Sequence, residues 1–278
     1  MNSAADQPRA LLIRTAGTNC DAELAHAFTL AGAGVQTIHL DTLIAQPELL
    51  RDFQLIGFPG GFSYGDDIAA GRIFAMKVRR HLFRPLAEAV ERGTPIIGIC
   101  NGFQILVQVG LLPGPAAGEA WPAEAPTPIV TLADNEGGRF IDNWCPVTLE
   151  ANSACIWTKD VDVADPARLL PIAHGEGRFI PADDATLARI EQAGCVALRY
   201  RGNPNGSVHD IAGICDASGL ILGLMPHPER YVHPTQHPSW TRLAATDPAF
   251  LESETLGLRL IRRAVNYAAA RPASSCSA

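Results

Sequence analysis

Residues 95–108 read PIIGICNGFQILVQ, and no other segment constrains the fold as tightly. An unbroken apolar run rich in isoleucine describes a strand buried on both faces, as in a parallel sheet covered by helices. The apolar residues that follow repeat at helical spacing. Between the two lies Gly98-Ile99-Cys100-Asn101-Gly102, a small residue on either side of a central cysteine. That spacing describes a nucleophile elbow, a sharp strand-to-helix turn that lifts its central side chain above the carboxyl edge of the sheet. The helix N-terminus that follows would favour a thiolate at Cys100. The plainer reading is a cysteine that fills a strand end as a small hydrophobe, so a second signal is needed.

The rest of the chain agrees with an α/β class. Residues 10–14, 35–40 and 55–58 read as strands, 20–31 and 73–92 as helices, and 254–270 as a last helix. After residue 128, runs at 146–149, 195–200 and 220–224, separated by turn signals such as Asn203-Pro204-Asn205-Gly206, predict added strands and hairpins in the same sheet system. The expected organisation is one domain over 10–271, with flexible tails at 1–9 and 272–278. Residues 113–128 are too rich in Pro, Gly and Ala for a regular element.

The second signal is LILGLMPHPER at 220–230, in which a strand delivers His227 and Glu229 two residues apart, each after a proline. In extended backbone such residues point the same way, so the carboxylate can stand beside the imidazole and fix its tautomer. A base and its orienting acid are what a cysteine nucleophile requires. The third signal is Pro59-Gly60-Gly61 directly after a strand expected beside the elbow strand. The amides of Gly61 and Asn101 would there converge on a carbonyl oxygen as it becomes an oxyanion, and a peptide flip at Gly60-Gly61 would be a natural switch, since glycine accepts either sign of φ.

PGG, GICNGFQ and HPE, in this order, resemble the class I (triad) glutamine amidotransferases. GTNCD at 17–21, PGGFSYGDDIAAG at 59–71, AHGEGRF at 173–179, NPNGSVHDIAGI at 203–214 and MPHPER at 225–230 are similar to the glutaminase subunits of phosphoribosylformylglycinamidine synthase. The resemblance implies a flavodoxin-like fold with a mostly parallel central sheet flanked by helices. It implies hydrolysis of glutamine through a cysteine thioester, supplying ammonia for de novo purine biosynthesis. It also implies Cys100 as nucleophile, His227 as base and acid, Glu229 as orienting carboxylate, and Gly61 and Asn101 as oxyanion donors. Gln104, Gly175 and Glu176 are implied at the glutamine site, with His174 as no second base. The implied partners are a synthetase subunit, which would hold ATP and Mg, and a small accessory subunit.

Other readings are narrowed by composition. The formal charge is −7, from 22 Lys plus Arg against 29 Asp plus Glu, and no basic run suggests nucleic-acid or membrane-surface binding. No phosphate-cradling GxxxxGK loop occurs, so no cofactor is expected in this chain. Seven scattered cysteines without CxxC pairs predict reduced thiols and a cytoplasmic setting. No metal site is expected at Asp66 and Asp67, which no His or Cys joins, or at His233 and His237, which prolines keep off one helical face. Residues 232–253, like 113–128, are longer than the resemblance leads one to expect. The alternatives are another class I amidotransferase, or an elbow-cysteine hydrolase on the same scaffold.

Overall fold

The structure, a computed structural model, describes residues 7–161 and 168–271. Its apolar runs pair into a nine-stranded sheet of two unlike halves. The first half is parallel: β1 (Arg9–Arg14) lies between β2 (Gly34–His39) and β3 (Leu55–Phe58), and β3 pairs with β4 (Ile96–Ile99). A two-stranded sheet of β5 (Val130–Asp134) and β8 (Glu176–Pro181) stands apart. The second half is antiparallel, running β7 (Leu169–His174), β6 (Ile141–Leu149), β9 (Val196–Tyr200) and β10 (Ile211–Cys215). The halves meet at β11 (Ile221–Leu224), antiparallel to β10 and parallel to β4. Both β4 and β11 are buried at every residue, which is why they read as unbroken apolar runs.

The helices are α1 (Asp21–Ala31), α2 (Leu40–Ala45), α3 (Arg72–His81), α4 (Phe83–Glu91), α5 (Asn101–Val109), α6 (Asp184–Gln192), α7 (Trp240–Thr246) and α8 (Leu256–Ala269). Helix α1 packs on α8, and α3 on α5, which also covers β4 and β11. The single helix expected over 73–92 is two, broken at Leu82. Pro85 explains the break: it cannot donate to the carbonyl of His81, and its ring would clash there, so a new helix starts with Pro85 in its first turn. Arg9, expected in a tail, already belongs to β1, whereas residues 272–278, with Cys276, lie outside the described residues. Among the described residues no helix is long and apolar enough to cross a membrane.

The two long segments are both anchored. Within 113–128, Trp121 meets Phe83 edge-on, and the Arg79 guanidinium donates to the carbonyls of Ala125 and Pro126 at 2.8 and 2.6 Å. Within 232–253, α7 stands between two short stretches of tight helix, and the ring of His237 lies among Trp144, Tyr231 and Phe250. His233 faces His26 instead, with Nε2 atoms 3.2 Å apart.

Candidate active site

Cys100 sits between β4 and α5 at φ 53°, ψ −107°, a conformation that costs a non-glycine residue about 1–3 kcal/mol and persists only where its surroundings enforce it. They do. The Cys100 amide donates to Leu224 O on β11 at 2.8 Å, and its carbonyl accepts from Gln104 N at 3.1 Å. Gly102 lies so close to β3 that a Cβ there would be 1.9 Å from Phe58 O, so α5 can start where it does only with glycine at that position. Cys100 as a residue is 6% exposed, and its thiol points towards Ala173 O at 3.7 Å.

On the neighbouring strand, β11 runs into His227 and Glu229 at the same edge of the sheet. The His227 amide donates to Pro171 O at 2.8 Å, and its Nδ1 lies 2.6 Å from Glu229 Oε1. The sequence suggested an extended dipeptide here. Instead, Pro228 opens a single tight turn over Pro228–Arg230, and the curl brings carboxylate and ring together. Both side chains are buried, and neither His227 Nε2 nor Glu229 Oε2 has a hydrogen-bond partner. Burial alone would lower the histidine pKa. The Glu229 carboxylate, then the sulfurs of Cys100 and Cys20, outweigh it and hold the imidazolium well above its ordinary range.

A pocket of about 230 Å³ opens onto Cys100, lined by Gly61, Gln104, His174, Gly175 and Glu176, with Phe62 and Phe140 at its rim. Gly61 takes φ +139°, which only glycine adopts freely. The Asn101 side chain ties the elbow to the PGG loop, accepting from Ser63 N and donating to Asp66 Oδ1, each at 3.3 Å. Asp66 Oδ1 also accepts from Gly71 N at 3.2 Å, a turn-capping role, and burial raises its pKa. Gln104 is already engaged: its oxygen accepts from Asn101 Nδ2 at 2.9 Å, and its amide donates to Glu176 O. It shapes the pocket wall through Asn101 and Glu176. The Glu176 carboxylate, with its pKa raised by burial, accepts from Ala70 N at 3.3 Å.

His174 is a different kind of histidine. Its Nδ1 lies 2.9 Å from Asn135 Oδ1, and burial, then the charge of His227, push its pKa down to about 4. It is a neutral wall of the pocket near pH 7. Sequence reasoning passed over Asn135, whose Nδ2 also holds His174 O at 2.7 Å, and Cys20. The Cys20 thiol is buried beside His227 and Glu229, with its pKa raised chiefly by burial. Ligand-type atoms of Cys20, His227 and Glu229 all lie within 4.8 Å of one another. Yet the 2.6 Å between Nδ1 and Oε1 is a hydrogen bond, shorter than the roughly 3.2 Å or more that separates two ligands of one tetrahedral zinc.

The chain matches the CobB/CobQ-like glutamine amidotransferase domain over residues 7–268. It is 41% identical to phosphoribosylformylglycinamidine synthase subunit PurQ of Dehalococcoides mccartyi, across 94% of this chain and 97% of that one. The chain belongs to the PurQ family of glutamine amidotransferases. PurQ of Methanococcus maripaludis C7 is 37% identical, with 94% of this chain and 97% of that one covered. Among solved structures, one described as PurLQS from Thermotoga maritima matches with a TM-score of 0.69 and 33% identity, covering 94% of this chain and 99% of that one. The glutaminase domain of Trypanosoma brucei CTPS shares the fold, with a TM-score of 0.52 at 16% identity over 90% of this chain and 99% of that one. The fold is therefore that of the class I amidotransferases, and the chain, as a PurQ-family member, is a glutamine amidotransferase of purine biosynthesis.

Proposed function

We propose that Cys100, His227 and Glu229 form the catalytic triad of this PurQ-family glutaminase. The observation that carries the reading is their placement: β4 and β11 are adjacent and parallel, in register from Ile96↔Ile221 to Ile99↔Leu224, so the residues that follow them emerge side by side. The Cys100 thiolate attacks the side-chain amide carbon of glutamine while the carbonyl oxygen takes up negative charge. The amides of Gly61 and Asn101 stabilise that oxyanion. His227, held protonated by Glu229, gives its proton to the departing nitrogen, and ammonia leaves a glutamyl thioester. His227 then takes a proton from water as that water attacks the thioester, and collapse of the adduct releases glutamate and the Cys100 thiolate. Gln104, Gly175 and Glu176 bound the glutamine from the far side of the pocket.

No step calls for a metal or cofactor in this chain. The ammonia acceptor, ATP and Mg belong to a synthetase partner, with a small accessory subunit completing the complex in the cytoplasm. The PurLQS structure from Thermotoga maritima supports this assembly as the parallel case. Labelling with the glutamine analogue 6-diazo-5-oxo-L-norleucine tests the site: one adduct is expected, on Cys100, and glutamine protects against it. An adduct spread over several cysteines would sink the assignment. Ammonia release should rise when the synthetase, its nucleotide substrate and an ATP analogue are added. Equal turnover in every mixture would leave a free-standing glutaminase.

A further inference from the structure

The peptide that presents the Gly61 amide is gripped from behind. Gly60 O accepts from Asn19 N at 3.4 Å and from Cys20 N at 3.2 Å, while Phe62 N donates to Gly17 O at 2.9 Å and Tyr64 N to Ala16 O at 2.8 Å. Thr18 and Gly61 thus face each other in an antiparallel bridge whose hydrogen bonds are made by their flanking residues. In such a pair the N–H and C=O of the central residue point away from the opposite segment. Gly61 lines the same pocket as Cys100, which leaves the pocket as the direction open to its N–H. The fit leaves no slack, since a Cβ on Gly61 would stand 2.7 Å from both Asn19 N and Gly17 O.

The same segment touches the base. Cys20 Sγ accepts from Arg230 Nη2 at 3.1 Å. A Cβ on Gly60 would lie 3.2 Å from that sulfur and 3.0 Å from His227 Cε1, so any side chain there would crowd both. One short stretch ahead of α1 therefore backs both the oxyanion peptide and the imidazole.

We propose that residues 17–20 are the positioning element of the oxyanion hole, locking the Gly60–Gly61 peptide with its N–H towards Cys100 before any partner arrives. The proposal rests on the reading of Gly61 as an oxyanion donor. It removes the Gly60–Gly61 flip as the switch suggested by the glycine pair. A flip would strip Gly60 O from two amides at once and turn a carbonyl towards the developing negative charge.

Two measurements test the lock. Amide hydrogen exchange on the full chain, alone and with the synthetase plus an ATP analogue, should show Asn19 and Cys20 protected and Gly61 exchanging freely in both states. The second is Gly17→Ala, assayed within the complex, in which the new Cβ would fall 2.0 Å from Phe62 O and force the two segments apart. The expected result is a kcat lower by on the order of a hundredfold with KM for glutamine near its wild-type value. Labelling of Cys100 by 6-diazo-5-oxo-L-norleucine, whose ketone needs the oxyanion donors, should slow in parallel. Alkylation by iodoacetamide, which needs none, should keep its wild-type rate. Wild-type kcat in Gly17→Ala, equal slowing of both reagents, or loss of Asn19 and Cys20 protection on synthetase binding would each overturn the lock. Should the wild-type chain release no ammonia in any mixture, the glutaminase reading fails, while the exchange pattern still decides the lock. Should Gly17→Ala fail to fold, that same pattern decides it alone.

Discussion

The strands β4 and β11 end side by side, but they fix the group they deliver by opposite means. At Cys100 the chain holds one residue at φ 53°, a strained position enforced by close packing against β3 and by the bond to Leu224 O. At His227 no residue is strained in this way; the curl begun at Pro228 and the contact with Glu229 set the ring. Geometry imposed by packing is rigid and indifferent to charge. Geometry imposed by an ion pair follows protonation. On the proposed assignment, the nucleophile keeps its place at any pH, whereas the place of the base follows the protonation of its ion pair.

The largest test of this contrast is Cys100→Ala, expected to lower glutamine hydrolysis by at least about 10⁴-fold while leaving thermal stability unchanged, because alanine suffers the same backbone strain. A large fall in melting temperature would mean that the thiol itself holds the elbow. His227→Ala should cost on the order of 10³-fold in kcat, and Glu229→Gln less, since the carboxylate orients and stabilises but transfers no proton. Equal losses for the two would assign Glu229 a larger part than orientation.

The two buried histidines should oppose each other in the pH dependence of stability. The pKa of His227 is raised on folding, so its stabilisation is complete below the unfolded value of about 6.5 and is lost as pH rises through the folded value. The pKa of His174 is lowered to about 4, so its neutral form is stable above about 6.5, and on the order of 3 kcal/mol is lost as pH falls from there to 4. Chemical denaturation across pH should show the acid-side slope flatten in His174→Gln and the alkaline-side slope flatten in Glu229→Gln. An unchanged acid-side slope in His174→Gln would show that this ring is not held neutral. Smaller still, Cys100→Gly should gain about 1 kcal/mol by releasing the strain. Pro228→Ala should lose about 0.5 kcal/mol, mainly through a freer unfolded chain. Denaturant midpoints that move the other way would reverse the contrast between strain and stiffening.

The sequence made the elbow legible for a physical reason: a strand buried on both faces must be apolar throughout, and a turn packed against backbone must have glycine, so both leave marks in a short window. Residues 169–181 left no such mark. They form β7 and β8, where buried and half-buried positions alternate around His174 and Gly175, and polar residues among apolar ones read as loop. The break at Leu82 was missed, although Pro85, whose cost falls on the carbonyl four residues earlier, marks it. Cys20 was out of reach of any local pattern, because its contact with Arg230 spans 210 residues, and only the fold brings them together. The curl at Pro228 shows the converse: His227 and Glu229 were read as a pair although the backbone that pairs them was not.

The register of β4 with β11 bears on when the enzyme comes into being as well as on how it works. Ile96 and Ile221 pair across 125 residues of chain, 221 less 96, and closing so long a loop is slow and comes late. During synthesis Cys100 leaves the ribosome more than a hundred residues ahead of His227, 227 less 100 being 127. On the proposed assignment, a nascent chain whose first four parallel strands have formed holds Cys100 without His227, and it hydrolyses no glutamine until β11 has joined β4.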